Sequence, residues 1–144
     1  MTRKDWTLLV IAAARGDAVS PVQLQKSLFL IDRNLSPTSR GTTHFYHFRA
    51  YDYGPFDGAI YSDATELALE GFVLVHPESG ASRRYIATPT GLSRAETLRK
   101  ELEGGVVVYL DEVVTWVRRL SFNELVGAIY HHYPEMKANS VFQA

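Results

Sequence analysis

The stretch Ala59-Ile60-Tyr61-Ser62-Asp63-Ala64-Thr65-Glu66-Leu67-Ala68-Leu69-Glu70-Gly71-Phe72-Val73-Leu74-Val75, followed at a short distance by Arg84-Tyr85-Ile86-Ala87, carries the change of hydrophobic period on which the fold turns. Ile60, Ala64, Leu67 and Gly71 recur at helical spacing, and Gly71 is placed to stop the helix. The two runs beyond it are short, apolar and bounded by turn residues. Between them, His76-Pro77-Glu78-Ser79-Gly80-Ala81-Ser82 carries proline, glycine and serine, which predicts a hairpin with a long tip.

Working outward toward the N-terminus, Asp5 to Arg15 is mostly apolar, too long for an ordinary strand, and ends at Gly16 as a first helix would. Ser20-Pro21-Val22-Gln23 is a capping box with proline at the first helical position, and Leu24, Leu28, Ile31 and Leu35 form one stripe of a second helix that Phe29 widens. Ser36 to Thr43 reads as loop, and Phe45 to Tyr51 as an extended segment on its aromatic content. Tyr53-Gly54-Pro55-Phe56 reads as a turn, with Pro55 fixing φ for the third helix.

Toward the C-terminus, Thr88-Pro89 opens a fourth helix with Leu92, Ala95, Leu98 and Leu102 inward, and Gly104-Gly105 closes it. Val106, Leu110, Val113, Val117 and Leu120 mark a fifth helix. Ser121-Phe122-Asn123-Glu124 is another capping box, starting a sixth through Leu125, Ile129 and Tyr133 that Pro134 stops. The predicted fold class is mainly α with a small β-hairpin: a winged helix, the helix-turn-helix variant whose hairpin is the wing, followed by a three-helix C-terminal extension. One domain over 1–144 is expected, with a winged-helix-like portion at 1–88, a helical extension at 89–134 and a loose tail at 135–144.

Composition bounds the function. The 144 residues are 46% hydrophobic and 22% charged, ordinary values for a chain with a single core. No cysteine is present, which excludes disulfides, thiolate metal sites and cysteine nucleophiles. No run approaches a membrane span and the start, Met1-Thr2-Arg3-Lys4-Asp5, is no secretory leader, so a cytoplasmic protein is expected. His44 and His47, or the adjacent His131 and His132, lack metal-ligand spacing. Gly104-Gly105 follows no strand. Ser20 and Ser121 are caps, and Ser79 and Ser82 lie on the hairpin tip. No catalytic residue, metal or cofactor is assigned, and no enzyme is expected.

Leu24-Gln25-Lys26-Ser27-Leu28-Phe29-Leu30, Tyr51-Asp52-Tyr53-Gly54-Pro55-Phe56, Leu67-Ala68-Leu69-Glu70-Gly71-Phe72-Val73 and Ile129-Tyr130-His131-His132-Tyr133-Pro134-Glu135 together resemble the pattern of the YwgA-like prokaryotic proteins and, more distantly, the Panacea-domain antitoxins. The resemblance implies a small prokaryotic helical domain with a winged-helix-like portion. Through the Panacea members it implies a protein partner of the toxin kind. The chain departs from the Panacea pattern at its end, where a Tyr-Pro stretch replaces a Gly-Pro-Trp-type ending.

The net charge of −1 hides a strong segregation. Residues 1 to 49 carry seven bases and three acids, and residues 50 to 78 carry six acids and no base. A third helix bearing Asp63, Glu66 and Glu70, with Asp57 ahead of it, opposes a phosphate backbone where a helix-turn-helix reader normally grips. The leading expectation is therefore a protein-interaction module, contacting a basic partner through Asp63, Glu66 and the nearby rings of Tyr51, Tyr53 and Phe56. The alternative is a DNA-binding regulator using the wing, where residues 79 to 100 hold a local excess of +4. Arg83 and Arg84 are its candidate contacts, with strand alternation sending them to opposite faces. The broad Val106-Val107-Val108-Tyr109-Leu110 run adds the expectation of a homodimer.

Overall fold

A computed structural model describes residues 1–78, 80 and 82–142. The elements run α1 (Arg3–Ala12), α2 (Pro21–Asn34), α3 (Pro37–Arg40), β1 (Arg49–Tyr51), β2 (Gly54–Phe56), α4 (Ala59–Leu69), β3 (Val73–His76), β4 (Arg84–Ala87), α5 (Pro89–Arg99), α6 (Gly104–Arg119) and α7 (Phe122–His132), with a 3-10 turn at Pro134–Lys137. The protein is mainly helical with two separate two-stranded antiparallel sheets, β1–β2 and β3–β4.

Local chemistry starts most of these helices. Ser20 accepts from the Gln23 amide while the Gln23 side chain accepts from the Ser20 amide, and Ser121 and Glu124 repeat the exchange at α7. Thr88 caps α5 ahead of Pro89. The same device at Thr2 and Asp5 starts α1 earlier than its apolar run suggests. Gly71, at φ 85°, ends α4 as expected, because only glycine enters that region without strain.

α1 is the centre of the molecule. Every residue from Trp6 to Ala12 is buried, so this part of the helix is covered on all sides, and α2, α4, α5 and β4 pack on it. The Trp6 indole donates to the Arg40 carbonyl at 2.9 Å. Leu24, Leu28 and Ile31 of α2 face this core. Phe29 faces a second cluster formed with Val113 and Val117 of α6, Leu125, Val126, Ile129 and Tyr130 of α7, and Met136.

Four expectations are corrected. The 36–43 loop contains the one-turn helix α3, capped by Ser36. Gly104-Gly105 does not close α5 but forms the first turn of α6. The Tyr-Gly-Pro-Phe stretch is not a turn: Gly54, Pro55 and Phe56 are strand β2, paired with Tyr51, Ala50 and Arg49, and the reversal falls at Asp52-Tyr53. Pro55 is accommodated because a two-stranded ribbon leaves each strand one unpaired edge. The tail, expected to be loose over 135–144, is packed over its described residues up to 142, while 143 and 144 lie outside the described residues. Met136 is buried and the Val141 amide donates to the Asp52 carbonyl at 3.0 Å, which ties the residues after α7 to the β1–β2 hairpin. At the tip of β3–β4, Ser79 lies outside the described residues, as does Ala81.

Candidate functional site: a groove beside the β1–β2 hairpin

The acidic third helix of the sequence is α4, and its carboxylates turn out to be spoken for. Asp63 is buried, bonded to the Arg3 guanidinium at 3.1 Å and to the Tyr46 hydroxyl, which donates to it. Tyr46 also pairs with Thr7 at 2.7 Å. Burial and the Asp63 hydrogen bond hold the Tyr46 phenol far above its ordinary range, so it stays a donor. Lys4 bridges Glu66 at 3.3 Å and Glu70 at 2.8 Å. The Asp57 carboxylate accepts from the His47 and Ala59 amides at 2.7 and 2.9 Å. Asp63 is thus held inside by Arg3 and Tyr46, and Glu66, though exposed, already has a cation. The neutralising groups come from α1, some sixty positions away in the chain, which charge sums over sequence blocks cannot register.

On the other hairpin, the alternation expected of Arg83 and Arg84 is present. The Arg83 guanidinium lies on the Tyr85 side, 4.6 Å above the Tyr61 ring and 5.9 Å from Tyr85, a stacked position rather than a free one. Arg84 points outward. Its Nη1 donates only to the nearby carbonyls of Ser82 and Arg83, at 3.2 and 2.8 Å, and it makes no ion pair among the described residues.

Arg84 stands at the edge of a cavity of about 550 Å³ lined also by Ser20, Pro21, Val22 and Gln23 of the α2 start, by Tyr53, and by Leu120, Phe122 and Leu125 of the α6–α7 junction. The β1–β2 turn builds one wall. Gly54 pairs with Tyr51 at φ 101°, a conformation side chains resist, and the tight reversal pushes both tyrosines outward. Tyr51 is 51% and Tyr53 44% exposed, while Phe56 is half-buried. Tyr53 meets Phe122, itself 42% exposed, edge-on at 5.2 Å, and Phe122 meets Phe142 at 6.1 Å. Tyr51 packs on Phe56 at 4.9 Å and Phe56 on Tyr61 at 5.8 Å. The structure therefore gathers Tyr51, Tyr53 and Phe56 and separates them from Asp63 and Glu66. Phe122 from α7 and Arg84 from β4 complete the groove.

Two residues that sequence reasoning left as ordinary helix positions tie α2 to the segment after the hairpin turn. Gln25 exchanges hydrogen bonds with Asp57, donating to its carbonyl at 3.0 Å and accepting from its amide at 3.1 Å. Lys26, 3% exposed, donates to the Pro55 carbonyl at 3.2 Å and makes no ion pair among the described residues. Burial pulls its amine down to about 7. Lys26 lines a second cavity of about 190 Å³ with Gln25, Tyr51, Asp52, Tyr53, Gly54, Phe56 and Tyr61, and Val22 and Tyr53 are common to both cavities. A signal was present in the sequence: Val22, Lys26 and Phe29 fall at i, i+4, i+7, a stripe with lysine at its centre.

The Val106–Leu110 run serves mainly its own subunit. Val106 and Leu110 are buried in the first core, Val107 and Tyr109 are half-covered, and Val108 alone points out. No helix among the described residues is long and apolar enough to cross a membrane. No protein-family model, no curated protein and no solved structure matches the chain.

Proposed function

We propose that this protein is a non-enzymatic interaction module that receives a short segment of a protein partner in the groove between the α2 start, the β1–β2 turn and the α6–α7 junction. The observation that carries the reading is the exposed Tyr53–Phe122 pair beside an unpaired Arg84. Solvent-facing aromatic rings over an apolar wall are the usual anchor of protein recognition, and a lone cation at the rim selects a carboxylate. The partner segment accordingly carries an apolar or aromatic anchor next to an acidic group. That is the opposite polarity from the basic partner expected of an acidic α4, because Arg3 and Lys4 neutralise that helix. A co-encoded toxin, as the family resemblance implies, is one partner of this description.

Within this proposal the scaffold is winged-helix-like. Its support is a bridge between Val19, in the α1–α2 connection, and Tyr85 of β4, which adds a third strand position to the β3–β4 hairpin. The DNA-binding alternative rests on Arg84 alone from the hairpin, since Arg83 is stacked on Tyr61.

The test is peptide selection from a random library against the protein, followed by titration of the selected peptide with amide shifts recorded by NMR. Selected sequences pair an aromatic or aliphatic residue with Asp, Glu or a free C-terminus. Shifts centre on Val22, Tyr53, Arg84 and Phe122, and Arg84→Glu weakens binding about tenfold or more. Selection with no acidic preference, or shifts elsewhere, would sink the reading. Salt-dependent binding to duplex DNA that Arg84→Glu abolishes would replace it with the alternative.

A further inference from the structure

We propose that Lys26 is a covalent carbonyl-binding site: the cavity between α2 and the β1–β2 hairpin admits a small neutral aldehyde, which condenses with the Lys26 ε-amine to form an imine. This goes beyond the docking role and does not depend on it.

A lysine at 3% exposure normally faces a carboxylate, yet the Lys26 nitrogen has one partner, the Pro55 carbonyl, for three possible donor positions. Lys26 lines the cavity, and its Cε and Nζ would stand 3.5 and 3.6 Å from a Cβ at Gly54, another lining residue. The same cavity is lined by Gln25 and Val22 from α2, by Tyr51, Asp52 and Tyr53 from the hairpin and by Tyr61 from α4, and Tyr130 of α7 stands beside Gly54. Asp52 is the single carboxylate lining the cavity, and it makes no ion pair with Lys26. Burial without a counter-charge favours the neutral amine, the nucleophilic form, at physiological pH.

The lining also sets the ligand class. Phe56, Val22 and three tyrosine rings offer apolar walls, and Asp52 repels an anion, so a phosphate or carboxylate ligand is disfavoured. About 190 Å³ suits a molecule of a few heavy atoms. The step balances without an oxidant or reductant. The nitrogen lone pair attacks the carbonyl carbon, a nitrogen proton moves to the oxygen to give the carbinolamine, and the C–O bond then breaks. The oxygen leaves as water with one further proton from solvent while nitrogen loses its second, leaving the C=N bond.

The experiment uses the 144-residue chain with propanal as probe and cyanoborohydride to reduce any imine, with peptide mass mapping of Lys4, Lys26, Lys100 and Lys137. At pH 7 the Lys26 adduct is expected to exceed that of each other lysine by about tenfold or more, because ordinary lysines are almost wholly protonated there. Its rate saturates with propanal concentration, and the preference fades by about pH 10 as the other amines deprotonate. Lys26→Met, which fills a similar volume without an amine, removes this adduct and leaves the other three unchanged. Lys26 labelling no faster than the surface lysines in the unmodified chain overturns the proposal. A strictly linear dependence on propanal, meaning reaction without binding, overturns it equally.

Discussion

Substituting Lys26→Met should change not only how stable the protein is but how that stability depends on pH. In the folded chain the Lys26 amine titrates at about 7, and in the unfolded chain at its ordinary value of about 10.4. Between these values the unfolded chain holds a proton that the folded chain has released, so stability rises with pH across that window and is flat below it. The limiting slope is about 1.4 kcal/mol per pH unit. Starting from a half-protonated folded amine at pH 7, the gain by pH 9 is about 2 kcal/mol. Lys26→Met abolishes this dependence, and methionine fills a similar volume with no amine to desolvate. At pH 6 the variant is therefore as stable as the parent or more so, and its advantage shrinks as pH rises. Urea midpoints of both proteins at half-unit steps from pH 6 to 9 measure the difference. The buried tyrosines titrate above that range in either protein and cancel in the comparison. Parallel profiles for the two proteins would refute the reasoning, because they would mean that Lys26 keeps its proton in the folded state.

Two further outcomes test the rest of the structure. Asp63→Asn leaves Arg3 half-buried without its carboxylate and weakens the Tyr46 hydrogen bond, so urea denaturation should show a loss of about 1–3 kcal/mol, whereas Glu66→Gln, at an exposed pair, should stay within about 0.5 kcal/mol. Gly91→Ala in α5 would bring a Cβ to 1.9 Å from the Phe72 carbonyl oxygen, a backbone atom that also accepts from the Thr88 amide. A fall in melting temperature of about 5 °C or more is expected, and an unchanged value would contradict the close approach of α5 to the residue before β3.

The acidic helix shows how a correct local reading can mislead about a surface. Its position, its apolar face and its glycine stop all follow from spacing in the sequence, and α4 has them. What its carboxylates do depends on Arg3 and Lys4, brought across by the packing of α1 on α4. The Tyr-Gly-Pro-Phe stretch is a second case. Glycine and proline there suggested a turn, but pairing with Arg49–Tyr51 made it a strand and moved the reversal two residues earlier.

By itself the sequence determined the helix boundaries set by Ser20, Thr88, Ser121, Gly71 and Pro134, and the β3–β4 hairpin. Caps, glycine stops and strand alternation act between residues a few positions apart, so they are legible in order and spacing. The tertiary structure alone decided that Asp63 is an internal partner, that Arg84 and Phe122 share a groove with Tyr53, and that Lys26 is buried beside a cavity without a counter-charge among the described residues. Desolvation and ion pairing depend on what lies within a few ångströms in space, and for these residues those neighbours come from beyond local reach in the chain, 17 positions away for Tyr46 and Asp63 and 29 for Lys26 and Pro55.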